Sequence, residues 1–328
     1  MTALRILSYN VRYFGHSTRG LASTRAPLRR IAAAIAGLRP LPDIVCLQEV
    51  EARSIRSHVA HRGSETQLER FTDAFAAALS STQPAGGKTA PGPGGGLTVG
   101  YQAYYFPAHS YRLSARTQVY TTGLAVLARD GFEVDLHNAH GPQDITDRNL
   151  HPMRRFKQTR ICAHLRLRPK GGRGHGAIDV FNTHLSLPST MSRAFWTERK
   201  RLGWGPNQIA EARNLVRFVE AQRKSDRFLV VGDFNALPGS PVHRYLAREH
   251  GWVDAFASRF RLGDAELGKW PTAGFMRMRM NLDHVFAGPG LKWLDFDDTH
   301  AFGDPTSPFH GLSDHVPLVG RCRVTETL

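Results

Sequence analysis

Several apolar, strand-like runs in this chain end on a side chain able to bind a cation, hold a water or carry a proton. Asn10 ends LRILSYN, Glu49 ends DIVCLQE, and His184 nearly ends IDVFNTHL. Asp233 and Asn235 close FLVVGDFN, Asp283 follows RMRMNL, and Asp314 with His315 opens SDHVPLVG. A buried strand delivers a side chain to a fixed position, and its end is where that side chain meets solvent and substrate. Each residue also has a plainer reading. Asn10 and the Asp-Phe-Asn of GDFN suit turns, Glu49 suits the exposed start of a helix, and His184 suits a hydrogen-bonded core position. Packing does not explain the whole set, which points to a constellation assembled from strand ends.

The elements that must hold these residues follow from periodicity. Apolar stripes at spacings of three and four predict three core-facing helices. They run through Leu28, Ile31, Ile35 and Leu38, through Leu68, Phe71, Phe75 and Leu79, and through Ile209, Ala212, Val216 and Val219. Ser23 and Thr24 offer capping hydroxyls to the first, and Pro206 opens the third. Strand character marks 4–10, 44–50, 101–106, 123–128, 132–136, 159–167, 178–185, 228–231, 282–287 and 316–324. Many strands with interspersed helices fit an α/β sandwich better than a regular βα barrel. Residues 83–96, low in complexity, are expected to form a flexible insertion. No composition shift cuts the chain, so 1–328 reads as a single domain.

Lys and Arg number 43 against 28 Asp and Glu, a net charge of +15 that attracts polyanions such as nucleic acid or an anionic phospholipid surface. Arginine bias explains the choice of cation but not the shortage of acids. Cys46, Cys162 and Cys322 each sit among apolar neighbours, without the spacing of a zinc site or a disulfide scaffold. They read as small hydrophobes of a reducing cytosol, and a cytoplasmic location is expected. No run is long and apolar enough to span a bilayer, and residues 1–10 lack the features of a secretion signal.

In order along the chain, LSYNV, PDIVCLQEV, TGLAVLAR, FNTHL, VVGDFNALPGSP, LDHVF and SDHVPL resemble the endonuclease/exonuclease/phosphatase superfamily. The resemblance covers almost the whole sequence and implies a four-layer αββα sandwich of two mixed β-sheets flanked by helices. It also implies a phosphoesterase dependent on Mg²⁺ or Mn²⁺. Glu49 matches the family's principal metal carboxylate, with Asn10 beside it directly or through water, and Asp314 reaches the metal zone or the histidine. Oxygen ligands of this kind suit a hard ion. Asp233 matches the residue that orients or deprotonates the attacking water, and Asn235 holds that water or a phosphate oxygen. His315 matches the essential histidine, Asp283 its paired carboxylate, and His184 a second phosphate contact.

Some positions depart from the pattern. Thr121 and Thr122 stand where several relatives carry other polar groups, and His284 follows Asp283 where many have tyrosine. Arg160 lies where relatives often place a basic residue near the phosphate, although a surface arginine fits equally. One fold hosts many substrates, so the fold does not choose among them. Residues 147–175 hold nine Lys/Arg against one acid, and 186–208 interleave Phe195, Trp196 and Trp204 with Arg193, Arg199, Lys200 and Arg201. Aromatic platforms with cations grip single strands, and the same mixture can sit at a lipid headgroup surface. The expectation is a nuclease, with Trp196 and Trp204 as substrate contacts. A sphingomyelinase-like phosphodiesterase and an inositol or sugar phosphate phosphatase are alternatives within the family. A catalytically silent phosphate-binding protein is the non-enzyme alternative, opposed by the presence of every expected carboxylate and histidine.

Overall fold

The computed structural model describes residues 3–15, 25–54, 66–81, 100–114, 117–147, 158–171, 176–188, 202–275, 277–297 and 301–325. The first sheet holds six strands. They are β1 (Ala3–Asn10), β2 (Ile44–Ser54), β3 (Tyr101–Ser114), β4 (Thr117–Arg129), β14 (Leu291–Phe296) and β15 (Leu318–Val324), in the order β14-β15-β1-β2-β4-β3. The second sheet contains β5 (Phe132–His137), β7 (Ile161–Pro169), β8 (Ile178–His184), β9 (Phe228–Asp233), β10 (Val253–Asp254) and β13 (Asp283–Ala287). Its order is β10-β13-β9-β8-β7-β5, with β6 (Gln143–Asp144) beside β7, and β11 (Ala273–Phe275) pairs separately with β12 (Met278–Met280). Within each sheet, one central pair is parallel, β1 with β2 and β8 with β9, and the other pairs are antiparallel.

Period-two alternation sorts the side chains into layers. Leu4 and Ile6, Ile44 and Cys46, Ile178 and Val180, Leu229 and Val231, and Val285 and Ala287 fill the space between the sheets. The alternate residues Leu7, Tyr9, Val45 and Leu47 face the helices Arg25–Gly37 and Gln67–Ser81, where Ile31, Ile35, Phe71 and Phe75 meet them. On the opposite side, Phe181, Phe228, Val230 and Phe286 pack under the helix Pro206–Gln222 through Ala212, Leu215, Val216 and Val219. The result is the helix–sheet–sheet–helix order expected from the sequence.

The structure adds elements that the periodicity did not reveal. β14 is one, because a register shift between Trp293 and Asp295 breaks its alternation. The hairpin of β3 and β4 runs on through Ser110 to Ser114 and Thr117 to Tyr120, a stretch without an apolar pattern. Short helices at Pro241–Arg244 and Ala255–Phe260 are capped by Ser240 and Asp254. The three cysteines are free and buried. Among the described residues, no helix is long and apolar enough to cross a membrane. The proposed insertion at 83–96 lies outside the described residues.

Candidate functional site

The apolar rows between the sheets turn polar at one end. Ser8 and Asn10 continue the row of Leu4 and Ile6, and Asn182 and His184 continue that of Ile178 and Val180. Asp233 continues Leu229 and Val231, and Asp283 opens the row of Val285 and Ala287. The same alternation that builds the core therefore aims these groups into the seam between the sheets. Gln48 and Asn182 form its floor. Gln48 Nε2 donates to Asn182 Oδ1 at 2.8 Å, and Asn182 Nδ2 donates to the carbonyls of Leu47 and Ala125 at 3.0 and 3.2 Å. Both side chains are fully buried, so these cross-sheet bonds fix the separation of the strand ends above them.

Glu49 reaches the seam by a different route. In phase with Val45 and Leu47, it would face the helices. Instead, residues 48 and 49 of β2 oppose a single residue of β4 between the Leu47–Ala125 and Val50–Gly123 pairs, and Glu49 adopts φ 53°. This bulge with a left-handed residue rotates the carboxylate into the site. Asn235 is likewise left-handed, at φ 47°, and its N–H donates to Asp233 Oδ1 at 2.9 Å in a tight turn after β9. Asparagine tolerates that conformation better than most residues.

Asn10 joins the two sheets, since its Nδ2 donates to Glu49 Oε1 at 3.1 Å and to Asp233 Oδ2 at 3.0 Å. Its own oxygen accepts the Arg12 N–H at 3.0 Å, so Asn10 presents its amino group to the carboxylates. Arg160 Nη1 donates to His184 Nδ1 at 3.2 Å, and the ring's other nitrogen, Nε2, faces both a carboxylate and an amide. That nitrogen lies 3.4 Å from Asp233 Oδ2 and 3.2 Å from Asn235 Nδ2. Burial, with the charges of Arg160 and His315, holds His184 neutral, well below the usual histidine range. His315 Nδ1 lies 2.8 Å from Asp283 Oδ2, and its Nε2 lies 3.8 Å from Asp233 Oδ2. Burial alone would discharge this ring, but Asp283 and Asp233 outweigh it and raise it to about 10.

The carboxylates show the complementary effect. Asp233 is pushed up to about 7 by burial, with Asp283 and Glu49 adding to the rise and His315 opposing it. Glu49 is also raised by burial, against the hydrogen bond from Asn10. A buried carboxyl, Asp233, and a half-buried one, Glu49, both raised and both presenting oxygen donors, form the environment that a divalent cation offsets. The residues therefore fit such an ion. Glu49, His184 and Asp233 have ligand atoms within 4.8 Å of one another, as do Asp233, Asp283 and His315.

Asn10, Glu49, His184, Asp233, Asn235, Asp283, His315 and Arg160 thus meet at one seam. Asp314 stands at its edge, where its Oδ2 pairs with Arg12 Nη1 at 2.5 Å. Trp204 is 38% exposed. Its neighbours Gly203 and Gly205 donate to Gln208 Oε1, and Gln208 Nε2 donates to the carbonyls of Ser186 and Asn235. Trp196, Phe195, Arg193, Arg199, Lys200 and Arg201 lie outside the described residues. Gln48, Asn182 and Arg12 are site residues that the sequence reading passed over. Gln48 stands next to Glu49 and Asn182 two before His184, but only their contact across the sheets marks them.

The model of the Endonuclease/Exonuclease/phosphatase family matches residues 7–315. No curated protein sequence matches the chain significantly. Among solved structures, the human Nocturnin catalytic domain with bound sulfate superposes with a TM-score of 0.62 at 19% identity, covering 98% of this chain and 94% of that one. ANGEL2, a 2′,3′-cyclic phosphatase in complex with adenosine-2′,3′-vanadate, gives 0.57 at 16% identity, covering 98% and 96%. The Bacteroides thetaiotaomicron mannosyl-6-phosphatase gives 0.55 at 15% identity, covering 98% and 99%. At these identities the likeness is one of fold.

Proposed function

Because the chain belongs to the endonuclease/exonuclease/phosphatase family, whose enzymes hydrolyse phosphate esters, we propose that it is a phosphodiesterase dependent on Mg²⁺ or Mn²⁺ and acts as a nuclease. The observation that carries this reading is the pairing across the seam of a protonated donor, His315, with a buried acid of raised affinity for protons, Asp233, 3.8 Å away. Glu49 would hold the cation, with Asn10 orienting its carboxylate and Asp314 at hand. A bound divalent ion supplies charge neutralisation at the phosphate and at the leaving oxygen.

The remaining steps fall to the chain itself. Asp233 orients the attacking water and takes its proton, a role suited to a carboxyl poised near neutrality. Asn235 holds that water or a phosphate oxygen. His315 donates from Nε2 to the phosphoryl oxygens, which gain negative charge in the transition state, while Asp283 keeps the ring charged and aligned. Neutral His184, backed by Arg160, adds a second contact from Nε2. The whole of 1–328 serves as one catalytic domain in this reading, and the buried, unpaired cysteines favour a cytoplasmic setting.

A nucleic-acid substrate is supported by the net charge of +15 and by Trp204, an exposed ring whose flanking glycines are tied through Gln208 to the Asn235 carbonyl. The decisive experiment is a metal-dependence screen over plasmid DNA, single-stranded RNA, sphingomyelin and bis-p-nitrophenyl phosphate. Metal-dependent cleavage of DNA or RNA, faster than that of sphingomyelin, is expected. Turnover of sphingomyelin alone would transfer the site to phospholipid chemistry, and inertness toward all four would return it to the silent binding protein.

A further inference from the structure

Asp283 and His284 point to opposite faces of β13. Asp283 faces the seam and holds His315, whereas His284 faces the helix layer and is 2% exposed. There it meets two other buried groups from separate elements, His243 and Asp254. Asp254 Oδ2 lies 3.1 Å from His284 Nδ1 and 3.2 Å from His243 Nε2, and its Oδ1 accepts the Ala257 N–H at 2.9 Å. His284 Nε2 lies 2.9 Å from the carbonyl oxygen of Ala236.

The three groups have the composition of a metal site, but their hydrogen bonds argue otherwise. The Gly239 N–H donates to His243 Nδ1 at 3.3 Å, so the His243 proton sits on Nε2, the nitrogen that faces Asp254. A ligating imidazole needs the opposite arrangement, with a lone pair toward the ion and its other N–H on an acceptor. His284 is further constrained. Both its ring nitrogens face acceptors, a carboxylate and a carbonyl, so the ring satisfies both contacts only with a proton on each. Burial opposes that charge, but Asp254 and the Ala236 carbonyl outweigh it and raise the group above its ordinary value.

The Ala236 acceptor is significant because of its neighbour. Ala236 follows Asn235, the left-handed residue that contacts His184, and Gln208 grips the Asn235 carbonyl from the other side. We propose that His284, clamped by Asp254 and His243, is a positioning residue for the phosphate site: its doubly donating ring holds Ala236 and so keeps Asn235 against His184. A tyrosine or phenylalanine here cannot serve both acceptors. The same ring is one residue from Asp283, so it ties the Asn235 turn to the strand that aligns His315. This role rests on the phosphoesterase reading for its catalytic consequence, though not for its geometry.

The test uses the full chain and His284→Gln, His284→Phe and Asp254→Asn. With bis-p-nitrophenyl phosphate as probe, kcat is expected to fall roughly ten- to a hundredfold in each, the cost of a slightly misplaced polar group. KM and the Mg²⁺ affinity measured by calorimetry should change little. Full wild-type kcat in folded His284→Gln overturns the proposal, as does a loss confined to melting temperature. Nitrogen NMR of the wild-type ring gives a reading independent of activity and of whether the variants fold. Two protonated ring nitrogens are expected at neutral pH, and a single one overturns the inference. If the wild type hydrolyses none of the phosphodiesters, the functional proposal fails while the ring measurement still decides the positioning claim.

Discussion

His315 and Asp283 come from different sheets' margins yet form the shortest polar contact between the proposed catalytic groups, 2.8 Å between Nδ1 and Oδ2. Thr272 makes that contact rigid. Its Oγ1 accepts the N–H of Asp283 at 3.0 Å, and its carbonyl accepts the N–H of Val316 at 2.8 Å. One residue thus holds both backbones. Asp283→Asn keeps the shape but removes the charge that sustains the imidazolium. We expect kcat to fall roughly two to three decades, similar to the loss of a transition-state donor. Asp233→Asn and His315→Ala should each cost about three decades or more. Steady-state kinetics at saturating metal checks all three, and an unchanged rate in Asp283→Asn would show that the pair is only structural.

The dependence on pH follows from the same groups. Asp233 must be ionised to accept a proton, and its carboxyl is raised to about 7. His315 must be protonated to donate, and its ring is raised to about 10. The profile of kcat/KM should therefore rise through an acid limb at or below about pH 7, since a bound cation lowers Asp233. It should stay high through mildly alkaline pH. Asp233→Asn should remove the acid limb. A flat profile from pH 4 to 8 in the wild type would exclude Asp233 as the base.

Glu49 carries the prediction about the cation. Excess EDTA should abolish hydrolysis, and Mg²⁺ or Mn²⁺ should restore it. Glu49→Gln should weaken Mg²⁺ binding, measured by calorimetry, while leaving the fold intact, because the bulge that aims the side chain is a backbone feature. Undiminished turnover in chelator contradicts the proposed role.

Asp179 offers a test of stability remote from the site. It is 1% exposed and accepts from His164 Nε2, Arg166 Nε and the Lys224 N–H. Burial alone would raise this carboxyl, but the three donors outweigh burial and lower it. A lowered folded-state value contributes stability above the unfolded value near 4, and that contribution is lost as pH falls through the folded value. Asp179→Ala should cost about 1–3 kcal/mol at pH 7, because it leaves the buried His164 ring and the Lys224 N–H without their acceptor. The gap between the two proteins in denaturant unfolding should narrow as the pH falls from the unfolded carboxylate value into stronger acid. An equal gap at pH 7 and in strong acid would refute the linkage.

Trp204 tests the substrate. Trp204→Ala should weaken binding to single-stranded DNA or RNA by about 1–3 kcal/mol, the usual worth of one stacked base. Turnover of bis-p-nitrophenyl phosphate should persist. Unchanged binding to both nucleic acids, together with lost association with anionic liposomes, would favour the phospholipid reading.

Much of this site was legible because a strand that is apolar on its inner face and polar at its tip leaves a local trace. Asp233 after FLVVG and His184 after IDVFNT are such cases. Glu49 was legible as the polar end of DIVCLQE and by resemblance, but its direction was not, because simple alternation from Val45 and Leu47 puts it on the wrong face and the bulge that corrects this has no side-chain signature. Gln48 and Asn182 escaped notice because an amide inside a strand resembles any interior polar residue until its partner across the sheets is known. His243, Asp254 and His284 come from three elements, and only the tertiary fold brings them together. β14 was missed for a simpler reason: its irregular register erased the alternation on which strand assignment depends.

The hydrogen bond from Ser313 Oγ to the Asn10 carbonyl joins residues 303 positions apart, and that from Asn10 to Asp233 spans 223. Contacts of such sequence separation form late, since the loops they close are costly until much of the chain is already in place. No local folding unit contains both the Asn10 amide and the His315 ring. A partly folded chain can therefore hold native strands and helices and still be inert. Recovery of hydrolysis during refolding would time the closing of the whole topology, with catalysis serving as a clock for global assembly.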